Sequence, residues 1–125
     1  MILGIGIDTV DVDRMQKWLT VKGLPERFFH LYELQVAYEN TKTTALTLAA
    51  RFAAKEAFGK ALGTGLSNIK LRDICVKNDT LGKPQLYITG TAKVAAEKMS
   101  VDALHISLTH EKKIAVAVVL LEKFV

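Results

Sequence analysis

Two acids stand where a carboxylate needs a reason. Asp8 ends an alternation in which Leu3, Ile5 and Ile7 fall on one face of a strand and Gly4 and Gly6 on the other, so it shares a face otherwise bare of side chains. Such a face admits a ligand or a packed helix, and Asp8 reads equally well as a cap for the segment that follows. Glu56 continues the line of Ala45, Ala49 and Phe52 at helical spacing, an apolar stripe in which an unpaired carboxylate is costly. It also stands four residues before Lys60, a pair that on an exposed helix is ordinary and contributes only about 0.2–0.5 kcal/mol. Against the ordinary reading stand Arg51, Lys55 and Lys60, on a helix too apolar to need a charged face. A divalent metal and phosphates satisfy the whole set. Mg²⁺ takes one or two protein carboxylates and completes its shell with water and phosphate oxygens, while lysine and arginine neutralise the remaining phosphate charge.

Other residues carry weaker signals. Gly63-Thr64-Gly65 closes the same helix, and reads as a C-cap or, beside Lys60, as a loop lying against a ligand. In His105-Ile106-Ser107-Leu108-Thr109-His110, alternation puts His105, Ser107 and Thr109 on one face. A solvent-facing strand edge explains that pattern, and so do phosphate contacts made by hydroxyls and the His110 imidazole at a strand end. No Ser-His-Asp or Cys-His arrangement marks a nucleophile. Cys75 is the only cysteine, which excludes an internal disulfide and a thiolate zinc site and suits a cytoplasmic setting.

These groups must be held by a strand, a long helix and a strand pair. The first strand leads to Asp11 as an N-cap, then Val12, Met15 and Leu19 at helical spacing, with Gly23 and Pro25 as the stop. Pro25 opens a short second helix through Phe28, Phe29 and Leu31, and residues 33–38 add a turn or two. The strongest helix runs from about Thr44 to Leu62; Gly59 inside it costs about 1 kcal/mol relative to alanine, a sign of tight packing or local flexibility. Residues 74–77 and 85–89 form a hairpin around Asn78, Asp79, Gly82 and Pro84, residues 91–99 a short helix, and residues 103–109 and 114–122 two further strands. The expected fold is α+β, a mainly antiparallel sheet packed around a central apolar helix in one domain spanning residues 1–125.

Half of the 125 residues are hydrophobic and 24% charged, the profile of a globular chain. No apolar stretch nears the roughly 20 residues of a membrane-spanning helix, and residues 1–7 lack the charged start and cleavage site of a signal peptide. The net charge of +4 favours anionic partners. Its cations cluster at Arg14, Lys17, Lys22 and Arg27 and at Arg51, Lys55 and Lys60, without the aromatic interleaving of a nucleic-acid surface, so nucleic acid is not an expected partner. A phosphohydrolase would use the same carboxylates with water as nucleophile. A basic module for acidic proteins would make both acids structural.

Gly4-Ile5-Gly6-Ile7-Asp8-Thr9-Val10 with Arg14, then Arg51-Phe52-Ala53-Ala54-Lys55-Glu56-Ala57-Phe58 running to Lys60 and Gly63-Thr64-Gly65, then Gly82-Lys83-Pro84, then Ser107-Leu108-Thr109-His110, occur together in this order. In order and spacing they resemble the holo-acyl-carrier-protein synthase family, the small bacterial-type phosphopantetheinyl transferases, over essentially the whole chain. The resemblance implies Mg²⁺-dependent transfer of 4'-phosphopantetheine from coenzyme A to a serine of an acidic apo acyl carrier protein in fatty acid biosynthesis, with release of adenosine 3',5'-bisphosphate. It implies Asp8 and Glu56 as catalytic metal ligands, with Glu56 taking the serine proton directly or through a water it orients. Arg51, Lys55, Lys60, Ser107, Thr109 and His110 would meet coenzyme A, with Gly63, Thr64 and Gly65 near the adenosine end. Arg14, Lys17 and Arg27 would dock the carrier, and Trp18 is either a further contact or a partly buried core residue. A homotrimer with sites at its subunit interfaces is implied as well. Asp11 stands where the family commonly has glutamate.

Overall fold

The bare glycine face of the first strand is filled by a helix. In the computed structural model, which describes residues 1–125, β1 (Ile2–Asp11) is covered by α4 (Thr44–Leu62). A Cβ on Gly4 would stand 1.9 Å from the Ala61 carbonyl oxygen, and one on Gly6 the same distance from that of Ala57. Neither glycine therefore tolerates a side chain. The repeat is geometric: two residues of strand advance about 6.8 Å and four of helix about 6.0 Å, so the pairs stay in step as β1 and α4 run past each other.

Beneath α4 lies a three-stranded sheet in the order β1-β5-β4, with β4 (Ala103–His110) and β5 (Ile114–Glu122). All its pairings are antiparallel, and Asp8 and Leu108 lie on either side of Ala117 in register. A separate antiparallel hairpin pairs β2 (Ile74–Asn78) with β3 (Pro84–Ile88), so the strands form two sheets. Four shorter helices surround them: α1 (Val12–Leu19), α2 (Leu24–Phe28), α3 (Leu31–Tyr38) and α5 (Gly90–Lys98). A 3-10 turn, Leu71–Asp73, leads into β2.

Local chemistry sets the boundaries. Asp11 caps α1 by accepting from the Asp13 N–H at 2.8 Å, while also ending β1, which runs three residues past Asp8. α1 stops at Leu19, four residues before Gly23. His30 caps α3 and Glu33 returns a bond to the His30 N–H at 3.0 Å. α4 is buried along most of its length, with Leu48, Ala53, Ala54, Ala57 and Phe58 fully enclosed. Gly59 has its reason in packing: a Cβ there would stand 2.8 Å from the Gly65 carbonyl carbon, because the chain after α4 folds back onto the helix.

Candidate functional site

Continuing the strand-helix register one step past Gly6 sets Asp8 against the Ala53 turn of α4, one turn from Glu56, and Lys60 reaches it with its long side chain from farther along the helix. Lys60 donates from Nζ to Asp8 Oδ1 at 3.0 Å and to the Ile7 carbonyl at 3.1 Å. The ion pair is open to solvent on the lysine side, with Lys60 55% and Asp8 18% exposed. Glu56 is half-buried; burial pushes its carboxyl above the ordinary glutamate range, the Asp8 charge pushes it further, and Lys60 and Arg14 pull it back. Two carboxylates thus converge within reach of two cations at the edge of β1.

This donor set fits Mg²⁺. The mutual repulsion of Asp8 and Glu56 is what a divalent cation relieves, and two carboxylates leave the remaining positions to water and phosphate oxygens. No group of three or more His, Cys, Asp or Glu side chains is gathered to hold a metal by protein alone.

A second cluster lies across the helix. Arg51 precedes Glu56 by five residues, about 140° around α4, and faces α3 and the hairpin instead of β1. It is 5% exposed, and its Nε and Nη2 are buried without an acceptor. An unpaired buried donor costs about 1–3 kcal/mol, more on a charged group, so this guanidinium has unspent capacity to donate to an anion. It lines a cavity of about 410 Å³ with Thr47, Asn78, Gly82, Pro84 and His110. Burial lowers the Arg51 pKa, and Glu33 opposes that. Asp8 and His110 belong to opposite edges of the sheet, roughly 12 Å apart by strand spacing and register. Arg51 and His110, which the resemblance groups, line this one cavity together with Thr47 and Asn78, which carry no motif in the sequence.

Lys55 does not reach either cluster. It is fully buried, and its ammonium donates to Glu33 Oε1 at 2.7 Å, to the Leu71 carbonyl at 3.0 Å and to the Ile74 carbonyl. Three protons have three protein acceptors, so none is left for a phosphate. Burial draws the Lys55 pKa down and Glu33 offsets part of that. Glu33, which nothing in the sequence marks, also accepts from the Val76 N–H at 3.1 Å. The pair ties α3, α4 and β2 together.

Ser107 and Thr109 are likewise displaced. Strand alternation turns them, with His105, to the sheet face opposite α4, beside Ile5 and Ile7, which are 64% and 57% exposed. Within one chain they are therefore on the far side of the sheet from Asp8 and Glu56. Gly63 and Gly65 take positive φ, 83° and 69°, and cap α4, Gly63 through its N–H to Lys60 and Gly65 through its N–H to Gly59. Gly63 stands about 18 Å along the helix axis from Arg51, so this turn is not at the Arg51 cavity. Exposed Thr64 lines a separate groove of about 820 Å³ with Leu62, Val94 and Met99.

Of the four expected docking residues, Arg14, Lys17 and Arg27 are exposed. Trp18 is half-buried, its ring 5.4 Å from Phe28 and 5.1 Å from Phe52, and the Arg14 guanidinium lies 5.1 Å over it. The ring thus packs against the core and carries Arg14, whose charge acts on Glu56.

Residues 4–119 match the model of the 4'-phosphopantetheinyl transferase superfamily. The holo-[acyl-carrier-protein] synthase of Treponema denticola is 54% identical over 98% of this chain and 99% of that protein. Among solved structures, the synthase of Neisseria meningitidis superposes with a TM-score of 0.88 at 32% identity, covering 98% of this chain and 100% of that one. The Bacillus anthracis synthase, in complex with CoA (3',5'-ADP), superposes with a TM-score of 0.83 at 37% identity over 99% of both chains. The chain belongs to the holo-[acyl-carrier-protein] synthase family of the 4'-phosphopantetheinyl transferase superfamily.

Proposed function

We propose that the chain transfers the 4'-phosphopantetheine group of coenzyme A to a serine hydroxyl of an acidic apo acyl carrier protein, releasing adenosine 3',5'-bisphosphate, and that it does so with Mg²⁺ held by Asp8 and Glu56. The reading rests on one observation above all: two carboxylates and Lys60 converge at an open edge where β1 crosses α4. Asp8 and Glu56 would hold Mg²⁺, which when bound would neutralise pyrophosphate charge. Lys60 adds a cation on the same side. Glu56 is placed to accept the serine proton directly or through a water it orients. Arg14 lies close enough to act on Glu56 and also faces solvent, so it marks the side from which an acidic carrier approaches. A reducing cytoplasm and a place in fatty acid biosynthesis follow from that substrate.

Arg51 and His110 take a phosphate at the nucleotide end of coenzyme A, a role supported by the unpaired buried guanidinium. Because they lie across α4 from Glu56, the two clusters serve one coenzyme A most simply when a site is shared by two chains. The exposed Ile5 and Ile7 face supports a homotrimer, and it carries Ser107 and Thr109 into the contact.

Mass spectrometry tests the reaction: with Mg²⁺, coenzyme A and apo carrier, one phosphopantetheine should be added per carrier. No addition with any carrier would sink the transferase reading. Glu56→Gln should lower turnover about 100-fold or more while leaving the fold intact, since removal of a general base typically costs that much. Co-expression tests the sharing. Inactive Glu56→Gln and Arg51→Ala chains mixed at random should regain about a quarter of wild-type activity if each site draws on two subunits. No recovery would show that each site is built within one chain.

A further inference from the structure

Between α2 and the 3-10 turn a cleft of about 520 Å³ opens to solvent, with Phe28, Ile69 and Leu71 as its apolar wall. Arg27, Lys70 and Arg72 stand around it against a single acid, Glu26. All three cations are exposed and none is in a salt bridge, since the chain's ion pairs are Lys55–Glu33, Lys60–Asp8 and His105–Glu122. The nearest other carboxylate, Asp73, is turned toward α5, where Oδ2 accepts from the Thr91 hydroxyl at 2.6 Å and the Thr91 N–H at 2.8 Å. Those hydrogen bonds hold the Asp73 carboxyl below the ordinary range, and the charges of Lys70 and Arg72 still reach it and help. No carboxylate closes an ion pair with any of the three cations, however, and Arg27, Lys70 and Arg72 outnumber the acids beside them.

The cleft is continuous with the catalytic edge. Phe28 forms its wall and also stacks on Trp18 and, at 5.5 Å, on Phe52. Trp18 carries Arg14, and Phe52 stands one helical turn before Glu56. From Glu56 the track therefore runs through Arg14, Trp18 and Phe28 to the Arg27 cleft. Cations around an apolar floor are a poor receptor for a free phosphate, which needs donors converging on one point. They match an acidic protein surface, where an apolar side chain enters the slot and carboxylates meet the rim.

We propose that the Arg27–Lys70–Arg72 cleft is a second docking point for the acidic carrier protein, seating a part of the carrier remote from its modified serine. The proposal rests on the transferase reading above. Two separated contacts bind the carrier more tightly than either alone and hold it over the Glu56 edge.

The test is steady-state transfer by the full-length protein, varying apo carrier and coenzyme A separately, for wild type and for Lys70→Glu/Arg72→Glu. Both side chains are exposed, so the variant should keep its thermal midpoint. We expect KM for carrier to rise about tenfold or more, with kcat and KM for coenzyme A unchanged, and the salt dependence of kcat/KM to become shallower than in wild type. Lys70→Arg/Arg72→Lys should restore wild-type behaviour. A carrier KM within twofold of wild type, in an enzyme that still transfers, overturns the cleft and leaves the transferase standing. An equal rise in KM for coenzyme A overturns it in favour of a substrate phosphate contact. A wild-type protein that modifies no carrier removes the transferase reading and the cleft with it.

Discussion

Lys55 and Lys60 stand on one helix, five residues and about 140° apart, and both read from sequence as phosphate contacts. Lys55 is sealed in the interior with Glu33 and two backbone carbonyls, while Lys60 lies 55% exposed over Asp8. The face each occupies decides the outcome. A lysine aimed between α3 and β2 finds acceptors for every proton and becomes a tie between elements. One aimed past β1 meets a carboxylate and open solvent, and keeps capacity for a substrate.

The largest effect expected from this contrast is on stability. Lys55→Met leaves the Glu33 charge buried without its partner, so it should destabilise the fold by about 3–5 kcal/mol in urea unfolding. Adding Glu33→Gln should recover only part, because the Glu33 carboxylate also accepts from His30 and Val76 N–H groups. A loss under about 1 kcal/mol would mean the pair behaves like a surface ion pair, and the contrast would collapse.

Lys60→Met should do the reverse. The exposed pair with Asp8 contributes little, so the unfolding midpoint should barely move, within about 1 kcal/mol. Under the proposed function, kcat/KM for coenzyme A should fall about tenfold or more, because a cation beside the pyrophosphate is lost. Unchanged kinetics would remove Lys60 from the site and leave both lysines structural.

Periodicity made most elements legible, and α4 in particular, because an apolar run closed by Gly63 admits few other readings. It also paired Asp8 with Glu56, since each was anomalous in its own pattern. What remained unreadable was direction around the helix in relation to neighbours not yet placed. Lys55 and Lys60 have equal claims in sequence until α3 supplies Glu33, which arrives 22 residues away in the chain. The glycines show the same limit: Gly4 and Gly6 admitted a ligand or a helix, and only the Ala57 and Ala61 carbonyls decide for the helix. Alternation correctly grouped Ser107 with Thr109, yet nothing in a strand tells which sheet face meets a site. Arg51 and His110 were grouped through resemblance, and the cavity they share is formed by residues from α4, the hairpin and β4.

The smallest predicted effect probes the Lys55 interior without altering it. Cys75 lies in β2 beside that pair, 5% exposed, and burial pushes its thiol up to about 11, with the Glu33 charge adding to the shift against Lys55 and Lys77. A thiol raised from 9.0 to about 11 holds its proton more tightly folded than unfolded, so its contribution to stability is full below pH 9 and is lost as pH rises through about 11. At pH 8 the thiolate fraction should be about 100-fold lower in the folded chain than in the unfolded one, and alkylation of the native protein should be slowed at least that much. Mass spectrometry of a timed iodoacetamide reaction measures it, with the urea-unfolded protein as reference. Equal rates would mean that water reaches β2, and a lysine behind a wetted strand could not be the sealed counterpart of Lys60.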